Sequence, residues 1–210
     1  TNNHCLTDSV RGAPNRLNPS SNTVENHSNY GQLGGFLADG YSLRQGSSNW
    51  HDVNISGSPA GTYVGWSWKA GGAPSGSGKR KRDGDETDLI SDTDYNSSIT
   101  SMAQSVNVDG DFSITKYTGT GSSDGWIKHG LSGTPDWVIV KCLSATYYWI
   151  TWHSGLGAST GTDDYFNLDE NDPAGHYAGS SNANQVWTTS GITSTKINLK
   201  NAGPVLENNQ

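Results

Sequence analysis

Asp136-Trp-Val-Ile-Val-Lys141 and Tyr147-Tyr-Trp-Ile-Thr-Trp152 decide how this chain is read. The first is a continuous apolar run of strand length, rich in β-branched residues, so both of its faces are expected to be covered. The second follows after a short polar turn and is expected to pair with it as a hairpin. Outward from this pair the same signal recurs. Gly61-Thr-Tyr-Val-Gly-Trp-Ser-Trp68 sets Val64, Trp66 and Trp68 against Tyr63 and Gly65, which predicts a strand with one bulky, buried face. Phe112-Ser-Ile-Thr-Lys-Tyr117 alternates and then meets a Thr-Gly turn, and Lys196-Ile-Asn-Leu-Lys200 is a last strand candidate. Trp66, Trp137 and Val138 are the predicted core.

Composition agrees with an all-β chain. The apolar fraction is 31%, with 8 Trp and 9 Tyr against 3 Phe. Such a chain builds its core from aromatic side chains on short strands and spends many residues in turns. Runs of good helix formers are nearly missing. The 210 residues suffice for one large β-sandwich or two small units. A formal net charge of −7 speaks against a nucleic-acid partner. No segment reaches the length of apolar residues needed to span a membrane. Two cysteines, Cys5 and Cys142, make no disulfide scaffold and are expected as reduced thiols, with a single bridge as the alternative.

One stretch departs from the pattern. Ala70-Gly-Gly-Ala-Pro-Ser-Gly-Ser-Gly78 has linker composition, Lys79-Arg-Lys-Arg82 is basic, and Asp83 to Asp94 is acidic. The region offers little to bury and is expected to be a surface excursion, ordered only if another subunit holds it. Three parts result: residues 1–73 as later strands of one β unit, 74–109 as a polar insert, and 110–210 as earlier strands of a second, related unit. Completion of one sandwich by both parts is the alternative. A short echo supports two related units, with Phe36-Leu-Ala-Asp-Gly-Tyr-Ser42 resembling Trp187-Thr-Thr-Ser-Gly-Ile-Thr193.

Nothing marks an enzyme. Nucleophile elbows, zinc-protease helices, phosphate loops and Cys-x-x-Cys pairs do not occur, and the six His have no ligand spacing. Asp92-x-Asp94-x-Asn96 matches the first three ligand positions of a calcium loop. Ser97 replaces the turning Gly and Ala103 the closing Glu, so a solvated loop is the competing reading and no cofactor is expected. Tyr147, Tyr148, Trp149, Trp152 and His153 form an aromatic cluster on which a sugar ring can stack. Alternate members of a strand point oppositely, so one set is core and the other is the candidate carbohydrate contact.

Three further stretches carry a resemblance. Asp8-Ser-Val-Arg-Gly12, Phe36-Leu-Ala-Asp-Gly-Tyr-Ser-Leu43 and Tyr63-Val-Gly-Trp-Ser-Trp-Lys-Ala-Gly-Gly72 resemble a β-domain repeated in tail-fibre and other virion structural proteins of marine bacteriophages. Phe112 to Gly119, His129 to Lys141 and Trp149 to Ala158 are similar to its next unit. The charged insert is where the chain departs from that pattern. The resemblance implies an antiparallel, lectin-like β-sandwich and a place on the virion surface. It implies no defined ligand. A homo-oligomer among other virion proteins is expected, trimeric by analogy with fibres, with a host-surface glycan as a further expected partner. The rival expectation is a secreted carbohydrate-binding module.

Overall fold

The computed structural model describes residues 4–26, 32–45, 53–54, 61–89, 99, 102–121, 125–156, 164–171, 175–176 and 186–200. Among them the fold is mostly β, in several small sheets, with one short 3-10 turn at Ser154–Leu156 and no α-helix.

A two-stranded hairpin comes first, from β1 (Gln32–Leu37) and β2 (Gly40–Arg44). A mixed sheet follows, from β3 (Lys79–Arg82), β4 (Asp85–Asp88), β5 (Met102–Asn107) and β6 (Phe112–Tyr117) in the order β4-β3-β5-β6. Only β3 and β5 run parallel. A third sheet joins β7 (Gly125–Lys128), β12 (Trp187–Ile192) and β13 (Lys196–Leu199) in the order β12-β13-β7. The fourth joins β8 (Trp137–Val140), β9 (Ile150–His153), β10 (Asp164–Asn167) and β11 (Gly175–His176) in the order β11-β10-β9-β8.

The three larger sheets share one core. Met102 of β5, Ile127 of β7, Val138 of β8, Ile150 of β9, Trp187 of β12 and Leu199 of β13 belong to a single buried cluster, with Leu89 and Ile99 in it. Gln104, fully buried on β5, ties two sheets together. Its carbonyl accepts from Arg80 Nε at 2.6 Å, and its amide donates to Thr115 Oγ1 at 2.9 Å and to the Lys128 carbonyl of β7 at 2.7 Å. A polar side chain is tolerated there because each of its groups is satisfied.

Several expectations hold. The β8–β9 hairpin forms in the expected antiparallel sense, and the strands at Phe112–Tyr117 and Lys196–Leu199 are present. Val138 is buried. Cys5 and Cys142 are half-buried thiols not joined in a disulfide.

Others are corrected. Residues 61–70 form no strand, and Trp66, expected in the core, is 69% exposed. Alternation marks a segment fit to be a strand, but a strand also needs a neighbour, and none pairs with this segment among the described residues. Trp137 is 54% exposed because β8 has its buried face on Val138 and its open face on Trp137 and Ile139. The stretch 79–107, read as having little to bury, carries β3, β4 and β5 and places Leu89, Ile99, Met102 and Val106 in the interior. The echoed stretches take different forms: residues 36–42 bend into the β1–β2 hairpin, whereas residues 187–192 run as one strand.

The charged stretch folds for a reason visible in its residues. Lys79 faces Asp88, Lys81 faces Glu86 and Arg82 faces Asp85 across the β3–β4 pair, and opposite charges directly across a ladder stabilise it. Lys79 Nζ meets Asp88 Oδ1 at 2.5 Å, and Ser75 donates to Glu86 from both N–H and Oγ. Asp83 and Gly84 close the hairpin with φ of 49° and 100°, the left-handed pair that a tight hairpin turn requires. Gly84→Ala introduces no collision, because nothing lies within 4 Å of the added carbon. Its expected effect is therefore backbone strain alone, a loss of about 1–2 kcal/mol in urea denaturation.

Candidate functional site

The aromatic cluster at residues 147–153 is split by the fold. β9 begins only at Ile150, so strict alternation does not extend back to Tyr147. Trp149 is 1% exposed and acts as an anchor. Its indole N–H donates to the Ser21 carbonyl at 2.9 Å, its backbone N–H donates to Asp169 Oδ1 at 2.9 Å, and its carbonyl accepts from Leu168 N–H at 3.0 Å. Tyr148 and Trp152 pack against the core cluster. Tyr147 is half-buried, and His153 is exposed with Nδ1 accepting from Gly155 N–H at 2.9 Å. The five residues thus do not share one sugar-stacking face. His153 instead stands across the ladder from Trp137, so the accessible ring beside it is one that was expected inside. No signal in the local sequence separates Trp137 from a buried Trp, since which face of a strand is open depends on its neighbours.

Asp92, Asp94 and Asn96 lie outside the described residues. Among the described residues no group of three or more His, Cys, Asp or Glu is placed to hold a metal ion.

A second aromatic surface lies at residues 61–69. Residues 61–69 are all exposed, and Tyr63, Val64, Trp66 and Trp68 among them are large and apolar. Trp68 stacks on Phe112 of β6, ring centroids 6.3 Å apart at 21°. The Tyr41 hydroxyl of β2 lies where a side chain at Gly65 would stand, which brings the β1–β2 hairpin beside the segment. Phe36, Leu37, Tyr41 and Leu43 are exposed on that hairpin. Asn107 Nδ2 donates to the Lys69 carbonyl at 3.0 Å, and Gly84 N–H donates to the Gly71 carbonyl at 3.0 Å. The end of the segment is thereby fixed to the mixed sheet while its aromatic part faces solvent.

Two polar features are structural. In Asp8-Ser-Val-Arg-Gly12, Asp8 Oδ1 accepts from the N–H groups of Val10 and Arg11, and Oδ2 meets Arg11 Nε at 2.5 Å. Arg11 also reaches Glu25 Oε1 at 3.1 Å and the Leu6 carbonyl at 3.3 Å. The motif is a turn locked by a largely buried guanidinium.

His129, buried at the end of β7, accepts at Nδ1 from Leu131 N–H and donates from Nε2 to the Thr193 carbonyl, each at 3.1 Å. Burial pushes its pKa below the ordinary value, with the Thr193 contact opposing. A proton at Nδ1 would face the Leu131 N–H. The unfolded chain therefore takes up the proton first, and stability falls as pH drops below about 6.5. The urea midpoint is expected to be lower at about pH 5 than at about pH 7.5, and His129→Gln is expected to flatten that slope.

Fold and surface together define a mostly β protein that holds a shared core inside and presents aromatic side chains to solvent. It belongs to the family described as Domain of unknown function (DUF7483), which matches residues 1–210. No curated protein and no solved structure matches the chain.

Proposed function

We propose that this chain is a structural protein of a bacteriophage particle, a tail-fibre or capsid-surface component. In this reading it is built as a lectin-like β-sandwich and works as an oligomer among other virion proteins at the particle surface. The observation that carries the reading is the run of nine exposed residues, 61–69, with Tyr63, Val64, Trp66 and Trp68 in it, beside the exposed face of the β1–β2 hairpin. Large apolar side chains left exposed close together mark an interaction site, and aromatic rings are the residues that dominate protein interfaces. The stretches similar to phage virion β-domains support the particle as the place of that interaction. Two of them have local structural roles, in the locked turn at Asp8–Gly12 and in the seating of Gly71 on the mixed sheet. The core shared by three sheets supports the sandwich.

The role is adhesive and architectural, and a host-surface glycan is a further ligand in this reading. A secreted carbohydrate-binding module is the alternative, favoured by the exposed indoles of Trp66 and Trp68, because a pyranose packs on an indole face. An antibody against the chain, applied to purified particles, tests the choice. Labelling of intact particles and loss of host adsorption are the expected results. A monomeric chain that is missing from particles and binds polysaccharide through Trp66 would establish the alternative.

A further inference from the structure

β8 is the outermost strand of its sheet among the described residues. Natural sheet edges are usually protected by charges, prolines or bulges. The edge strand β4 follows that rule, with Asp85, Glu86 and Asp88 exposed along it. β8 does not, since Trp-Val-Ile-Val runs unbroken between Asp136 and Lys141.

Its pairing fixes which peptide groups are occupied. Trp137 faces His153, Val138 faces Trp152, Ile139 faces Thr151 and Val140 faces Ile150, and Ser154 N–H donates to the Asp136 carbonyl at 2.9 Å. In an antiparallel ladder both peptide groups of a residue point to one side, and successive residues point to opposite sides. Asp136, Val138 and Val140 therefore turn toward β9. Trp137 and Ile139 turn their N–H and C=O groups toward the edge that no described strand covers, and the same two residues carry the exposed side chains.

We infer that a second copy of the chain pairs antiparallel along β8 about a two-fold axis at Val138, joining two four-stranded sheets into one. Two constraints select this register. A two-fold axis perpendicular to the sheet keeps core face beside core face, so residues opposite one another must carry side chains on the same face. The outward peptide groups must also meet. Setting Trp137 opposite Ile139 of the second copy satisfies both conditions twice. It forms four backbone hydrogen bonds, and it places each exposed indole against an exposed Ile. A register centred on Trp137 would set Ile139 against Pro135, which has no N–H to donate. One centred on Ile139 would set Trp137 against the charged Lys141. The strand is thus complementary to itself in one register, whether or not the chain belongs to a virion.

Hydrogen exchange and sedimentation of the intact chain test the pairing. The amides of Trp137 and Ile139 are expected to become protected as protein concentration rises, while those of Val138 and Val140 are protected throughout. Ile139→Lys, at an exposed side chain, is expected to weaken association by about tenfold or more. A chain that stays monomeric at about 0.5 mM overturns the inference. So does an oligomer in which the Trp137 and Ile139 amides exchange freely, or one that Ile139→Lys leaves intact. The exchange pattern of the unmodified chain decides the matter even if the variant fails to fold.

Discussion

Gly71→Ala is expected to destabilise the protein by about 3 kcal/mol, at the upper end of the usual cost of overpacking. Gly71 is buried where the chain arrives on the mixed sheet. A carbon added there would collide with the carbonyl oxygens of Lys81 on β3 and Val106 on β5. Both are backbone atoms of paired strands, so no rotamer change relieves the contact. The Val106 carbonyl also accepts from Asp83 N–H at 2.9 Å, and the Gly71 carbonyl accepts from Gly84 N–H, so moving either strand breaks the hairpin turn as well. Gly76→Ala is the matched control, since nothing lies within 4 Å of its added carbon. Urea denaturation followed by Trp fluorescence should separate the two variants, and equal midpoints would contradict the seating of Gly71 on the sheet.

Trp149→Ala is expected to cost about 3–5 kcal/mol. The indole is enclosed, and its N–H is the link between Ser21 near the N-terminal turn and the fourth sheet. Trp149→Phe keeps much of the packing and is expected to cost less, mainly through the unpaired Ser21 carbonyl. Trp66→Ala is expected to change stability of the isolated chain by no more than about 0.5 kcal/mol, because the side chain is mostly in water. Thermal or urea unfolding of the three variants checks the ranking. A large loss for Trp66→Ala would mean that the ring is buried in solution.

Where the chain carries its own pairing partner close in sequence, the strands were legible. Asp136–Lys141 and Tyr147–Trp152 are separated by a short turn, and they form β8 and much of β9 as expected. β6 and β13 followed from alternation. The strands β3 and β4 were hidden by their charge: a basic run and an acidic run read as solvated surface when taken separately. Asp83-Gly84 between them is the hairpin signal that joins the two readings. β5 was hidden differently. Its interior positions include Gln104 and Ser105, and a polar residue satisfied by distant Arg80, Thr115 and Lys128 has no local signature. The segment at Tyr63–Trp68 shows the converse, a strand pattern that no strand of the chain pairs with among the described residues. How residues 147–153 divide between core and surface was hidden for the same reason that Trp137 was misplaced. Periodicity gives the faces of a strand but not which face the rest of the fold covers.

In the proposed function the exposed rings of residues 61–69 are an assembly surface. Hydroxyl-radical footprinting of Tyr63, Trp66 and Trp68, in the isolated chain and in purified particles, tests this most directly. All three are expected to be modified rapidly in the isolated chain and strongly protected in the particle, with Trp149 protected in both. Equal modification of Trp66 in the two states would contradict it.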